Sequence, residues 1–219
     1  MNSKNITMND IKRFGLFFIM AVGVGFCVSL SLKADIGLGA WDALSQSLSY
    51  LKNIKIGTIS IILNTMLVLG QIFLLRKDYK WINLLQFAVS FIMGWVVNFF
   101  YYDFFENFNP ESYLIRLVLL VSSCLLMAFC LSFIVTLDVI GMPIEFFCAA
   151  VARVFHLEFG KVRQYFDFIM IGVVVLITLI FNVTFTLREG TVIVAFLLGP
   201  MISFFIPYAE KILFKLELI

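Results

Sequence analysis

Four carboxylates stand beside breaks in an otherwise apolar chain. Asp35 and Asp42 bracket the segment Asp35-Ile-Gly-Leu-Gly-Ala-Trp-Asp42, and Asp138 and Glu145 bracket Asp138-Val-Ile-Gly-Met-Pro-Ile-Glu145. A fifth, Asp167, lies near the start of a long apolar run. It follows Arg163 by four residues, the spacing at which two helical side chains can pair. Asn64 takes the matching place in an earlier run. Ionisable groups within membrane segments are costly, and they tend to mark ion or substrate paths and proton relays. Gly37, Gly39 and Gly141 let the backbone leave a helix, and Pro143 suits the first turn of a new one. Such breaks are tolerated at membrane depth only where they are buried in protein or line water. Asp35, Asp42, Asn64, Asp138, Glu145 and Asp167 are therefore the candidate substrate- or ion-binding residues, with Gly37, Gly39, Gly57, Gly141 and Gly160 as structural glycines. A plainer reading stands beside this one. Asp42 and Glu145 complement helix dipoles in first turns, Asp35 and Asp138 end the preceding spans, and Asp167 is satisfied by Arg163.

Other chemistry finds little support. The chain has no nucleophile–base–orienter set and no phosphate loop, so no enzyme activity and no catalytic residue is expected. Cys27, Cys124, Cys130 and Cys148 sit in apolar runs without paired spacing and read as small buried hydrophobes. One histidine, His156, cannot build a metal site and reads as a helix-end residue. No metal and no cofactor is expected, and a net charge of +2 is too small to suggest nucleic acid.

The elements that must hold these residues are membrane helices. Of 219 residues, 62% are hydrophobic and 14% charged, with 26 Phe. Soluble domains carry about 25% charged residues. A spanning helix needs about 20 apolar residues. Six runs qualify or nearly so: Phe14–Leu32, Gly57–Leu75, Ile82–Tyr102, Tyr113–Leu137, Tyr165–Leu187 and Thr191–Tyr208. Gly39–Leu51 and Pro143–Phe155, about 13 residues each, make roughly 20 Å of helix, short of a bilayer core of about 30 Å. The first run is too long for a signal-peptide core and reads as a retained helix. The chain is expected to form a single integral membrane domain, with the lipid bilayer as its partner.

An internal repeat organises the runs. A shift of 103 positions places Asp35 on Asp138, Asp42 on Glu145, Gly57 on Gly160 and Asn64 on Asp167; a later gap of two aligns Gly94 with Gly199. The repeats cover about 14–102 and 117–207. If the short helices do not span, the fold is all-α with six transmembrane helices plus two half-helices, and the halves are inverted copies. The alternative is eight membrane segments in two parallel repeats. The positive-inside rule does not separate them: each leaves five of the sixteen basic residues outside and eleven inside, with both termini cytoplasmic. Helix length favours six spans. The first short helix is amphipathic: Trp41, Leu44, Leu48 and Leu51 form one stripe, and Asp42, Ser45, Gln46 and Ser49 another. The polar stripe either lines a path or faces headgroups.

The string Lys33-Ala-Asp-Ile-Gly-Leu-Gly-Ala-Trp-Asp-Ala-Leu44, with Ile56-Gly-Thr58 and Gly190–Pro200, resembles the bacterial YczE/YyaS/YitT family of membrane proteins. Met142 and Pro143 depart from the small residues usual in the second glycine-rich turn, and the soluble C-terminal domain of YitT-type members is missing. The resemblance implies a multi-pass protein of the bacterial cytoplasmic membrane and no established substrate. Two functions compete: a small-solute or ion transporter or channel, and a non-transporting membrane partner of an enzyme or export complex. For transport, four carboxylates outweigh two helix ends of about half a charge each, which favours a cation or proton over an anion. Homo-oligomerisation is left open.

Overall fold

The computed structural model describes residues 8–218. The described residues form eight α-helices: α1 Met8–Ala34, α2 Ala40–Lys52, α3 Ile56–Leu75, α4 Leu85–Asn98, α5 Tyr113–Leu137, α6 Pro143–Phe155, α7 Phe159–Phe181 and α8 Glu189–Lys215. The fourth is lengthened by a 3-10 turn, Trp81–Leu84, and a π turn, Phe99–Phe104. Among the described residues six segments are long and apolar enough to cross a membrane, and α2 and α6 are not among them.

The helix ends obey the 103-residue shift. Ala34, Ala40, Lys52 and Ile56 correspond to Leu137, Pro143, Phe155 and Phe159. The residues that stop the helices match as well. Asp35 and Asp138 follow α1 and α5 with φ of 51° and 46°, and Asn53 and His156 follow α2 and α6 with φ of 54° and 53°. All four take the left-handed conformation that closes a helix, where Asn, Asp and His are enriched among non-glycine residues.

Packing shows how the halves are related. The mates α1 and α5 lie side by side, and three contacts fix their direction. Arg13 Nη2 donates to the Leu137 carbonyl at 2.6 Å, Gly23 faces the Cys130 Sγ, and the Ser31 and Ser123 hydroxyls are 2.7 Å apart. Rising numbers on α1 meet falling numbers on α5, so these helices are antiparallel and the repeats are inverted. Cross-packing respects the same two-fold: α2 packs on α7 and α3 on α6, while α2 meets α3 and α6 meets α7.

Two ion pairs exclude eight spans. Asp35 after α1 meets Arg116 at the start of α5, and Asp78 after α3 meets Arg153 at the end of α6, at 3.7 and 2.9 Å. Eight crossings would put the members of each pair on opposite faces. One face thus holds the ends of α1, α2, α4 and α7; the other holds the ends of α3, α5, α6 and α8.

Several helices outrun their apolar runs, α1 as Met8–Ala34 beyond Phe14–Leu32 and α8 as Glu189–Lys215 beyond Thr191–Tyr208, and one span is displaced. The fifth span runs Phe159–Phe181, not Tyr165–Leu187. Lys161 and Arg163 make its start look like loop, but Asp167 pairs with Arg163 and Lys161 with Glu158, so the charges are accommodated on the helix. Apolar residues continue past Phe181, yet Asn182 turns left-handed and stops the helix.

Candidate functional site at the two half-helices

Each half-helix is reached through a short non-helical stretch that turns back into the bundle. After Asp35 the chain docks against the start of α8. Gly190 N–H donates to the Ile36 carbonyl at 2.7 Å, and Leu38 N–H donates to Thr191 Oγ1 at 3.3 Å. These bonds satisfy backbone groups that have no helical partner. Only glycine fits at Gly37: its φ is +135°, and a Cβ there would lie 2.3 Å from the Thr191 nitrogen. In the second stretch a Cβ on Gly141 would strike the Phe146 ring. Here Gln71 Nε2 donates to the Pro143 carbonyl at 3.1 Å. Gln71 and Gln86 also exchange amide hydrogen bonds of 3.0 and 3.3 Å, both side chains being wholly buried. The two half-helices thus enter from opposite faces. Trp41 in the first turn of α2 and Phe147 at the start of the second turn of α6 each approach Phe166 of α7, with ring centroids 5.7 and 5.9 Å away. Phe166 thus touches both half-helices.

The polar stripe of α2 faces protein, not headgroups. Ser45, Gln46, Ser47 and Ser49 are buried. Ser47 pairs with Thr186 at 2.7 Å, and the Thr186 hydroxyl also donates to the Ala43 carbonyl at 3.0 Å. Gln46 Nε2 donates to the Tyr50 hydroxyl. Gln46, Tyr50, Ser31, Asp35, Thr186 and Arg188 are among the residues lining a crevice of about 10 Å³, room for about one water molecule.

The candidate residues fall into three places. Asp35 stands at one face, paired with Arg188 at 3.1 Å and Arg116 at 3.7 Å; Arg188 also donates to its carbonyl. Asp138 is exposed at the opposite face, beside the Leu137 carbonyl that Arg13 holds. Glu145 and Asp167 come together around Arg163: Asp167 pairs with it directly, and Glu145 lies within its electrostatic reach. Asp42 is half-buried and forms no ion pair or hydrogen bond among the described residues; desolvation raises its carboxyl above the ordinary carboxylate range. Asn64 is part-buried on α3, and its Oδ1 is enclosed without a hydrogen-bond partner. No three His, Cys, Asp or Glu side chains among the described residues gather as metal ligands, and all four cysteines are buried and free.

Two arginines were missed by sequence reasoning. Arg13 and Arg116 are repeat mates at the same shift of 103, and each reaches the C-terminal end of the other repeat's first helix. The signal lies in the register itself, since the 103-residue shift places Arg13 on Arg116. Gln71 and Gln86 were missed too; two lone amides in apolar runs carry no spacing that announces a pair.

The fold and site define a multi-pass, all-helical membrane protein built from two inverted repeats, each carrying a half-helix. The chain belongs to the family of unknown function DUF6198, which it matches over residues 11–207. No curated protein and no solved structure matches it.

Proposed function

We propose that this protein moves a small solute or ion across the membrane, with a cation or proton favoured over an anion. The observation that carries the reading is the pair of half-helices entering from opposite faces of an inverted repeat, both packing a ring against Phe166 of α7. Inverted repeats with interrupted helices near the midplane recur in transporters, with the site at the repeat interface. Asp42 supports the preference for positive charge. Asp35 and Asp167 are ion-paired and Glu145 lies near Arg163, whereas Asp42 is left to offset the α2 dipole by itself. The carboxylates divide in role: Asp42, unpaired among the described residues in the first turn of α2, is the candidate for the transported charge, Glu145 and Asp167 share the positive charge of Arg163, and Asp35 and Asp138 follow the ends of α1 and α5.

The resemblance of Lys33–Leu44 to the YczE/YyaS/YitT family supports a bacterial cytoplasmic membrane. The excess of basic residues around Arg76, Lys77 and Lys80 and the face they share supports cytoplasmic termini. No catalysis and no cofactor enter this reading. Purified protein in liposomes tests it through fluxes driven by sodium, potassium or proton gradients, against chloride, nitrate and fluoride. Cation or proton flux lost in Asp42→Asn is the expected result. Anion flux that survives Asp42→Asn and Glu145→Gln removes the charge preference. Absence of any flux, with a protein or enzyme partner retained on purification, favours the non-transporting role.

A further inference from the structure

The two repeats share a sequence pattern but not a conformation. In the first, α3 and α4 cross through Gly57 and Gly94, both buried. A Cβ on Gly57 would lie 1.9 Å from the Gly94 carbonyl oxygen, and one on Gly94 would lie 2.4 Å from the Gly57 oxygen. Asn98 clasps the crossing: Gly57 N–H donates to its Oδ1 at 2.9 Å, and its Nδ2 donates to Thr58 Oγ1 at 3.1 Å. The mates of the two glycines are Gly160 on α7 and Gly199 on α8. Both are exposed, and nothing outside the local chain lies within 4 Å of a Cβ built on either. The helices α7 and α8 make no packing comparable to that of α3 and α4, and α8 rests on α5.

Three features of α7 and α8 suit them to close this gap. Gly199 is followed by Pro200, with Pro207 about two turns further along, and proline inside a helix removes a backbone hydrogen bond and allows a bend. The repeat-one mate of Pro200 is Trp95, so the first repeat has no such hinge. Ser203 is the mate of Asn98, and its hydroxyl now donates only to the Gly199 carbonyl of its own helix. Gly160 lies in the first turn of α7, where backbone N–H groups have no intrahelical acceptor.

We propose that α8 bends at Gly199-Pro200 and closes on α7 in a second state, with Gly160 against Gly199 as Gly57 lies against Gly94, and with Ser203 taking the place of Asn98. The closure sits toward the face opposite the Gly57–Gly94 crossing, because the repeats are inverted. It gives the protein two states sealed near opposite faces. The proposal deepens the transport reading and rests on it for meaning, but its test reads conformation and needs no flux.

The test is disulfide trapping in native membranes. Lys161→Cys with Ser203→Cys places thiols at the mates of Thr58 and Asn98; Thr58→Cys with Asn98→Cys is the control for a crossing already closed. All four native cysteines are buried and can stay, with single-cysteine variants as blanks. The expected result is an intrachain disulfide from both pairs under copper phenanthroline. Gly199→Leu should lower the Lys161/Ser203 yield at least tenfold without changing the control. Overturning results are a control pair that links fully beside a Lys161/Ser203 pair that does not, or a covalent dimer, which would assign the open glycines to a second copy of the chain. Gly160→Cys with Gly199→Cys is the second pair; failure of both pairs to give folded protein would contradict the open space at these positions. Trapping without any measurable flux in liposomes would keep the motion and remove the transport reading.

Discussion

Glycine-to-alanine substitution should have opposite signs in the two repeats. At Gly57 the added methyl would sit 1.9 Å from the Gly94 oxygen, where ordinary contact begins at 3.4 Å. Helices α3 and α4 must then part by about 1.5 Å, and overpacking of this kind costs about 1–3 kcal/mol. Parting also strains the bond from Gly57 N–H to Asn98, worth about 0.5–1.5 kcal/mol. Alanine returns about 0.5–1 kcal/mol of helix propensity, leaving a net loss on the order of 2 kcal/mol. For a chain of this length each kcal/mol moves Tm by about 2–4 °C, so Gly57→Ala should melt about 4–8 °C lower. Gly160→Ala meets nothing within 4 Å and keeps the propensity gain of about 0.5–1 kcal/mol; its Tm should hold or rise slightly. Heating the detergent-solubilised protein and following the monodisperse fraction by size-exclusion chromatography measures both. Equal melting of Gly57→Ala and Gly160→Ala would refute the unequal packing of the two crossings.

Three further outcomes follow from the packing and charge of the bundle. Gln71→Leu leaves the buried Gln86 amide without its partner and should cost about 1–3 kcal/mol, whereas adding Gln86→Leu should recover most of the loss; equal melting of the single and double variants would show that the amides are not coupled. Asp35→Asn should lower thermal stability by no more than about 1–2 kcal/mol, since partly exposed ion pairs are worth about 0–1 kcal/mol each; a loss beyond about 4 kcal/mol would contradict their exposure. Proton-linked flux should titrate with a midpoint above the ordinary carboxylate range, because Asp42 is desolvated, and that midpoint should vanish in Asp42→Asn; an unchanged profile in the variant would release Asp42 from the site.

Much of this architecture is written in short-range chemistry. Helix lengths separate α2 and α6 from the six spans, and the ends of α5 and α6 coincide with their apolar runs. The carboxylates of the 103-residue register mark real helix ends. The pair Arg163–Asp167 follows from spacing alone. The start of α7 was hidden because a helix can carry Lys161 and Arg163 when each has an acidic neighbour at three or four residues. Partnership between distant elements was harder to see. Nothing about Arg13 says that it reaches Leu137, and basic residues balance equally in both topologies. The difference between the crossings is the least legible feature of all. Gly57 and Gly94 match Gly160 and Gly199 residue for residue, so a pattern that the two repeats share cannot say which copy is closed.

The antiparallel pairing of α1 with α5 sets an order on biosynthesis. Half of the hydrophobic window of α1 is buried, and α5, which supplies Cys130, Ser123 and the Leu137 carbonyl, begins only at Tyr113. At about 5–20 residues per second, α1 waits several seconds in the bilayer before that helix emerges. The first half must therefore remain inserted with Gly23 and Ser31 facing lipid or a helper that shields them. Pairings so distant in sequence form slowly, and quality control in the membrane has that interval in which to act on a stalled first half.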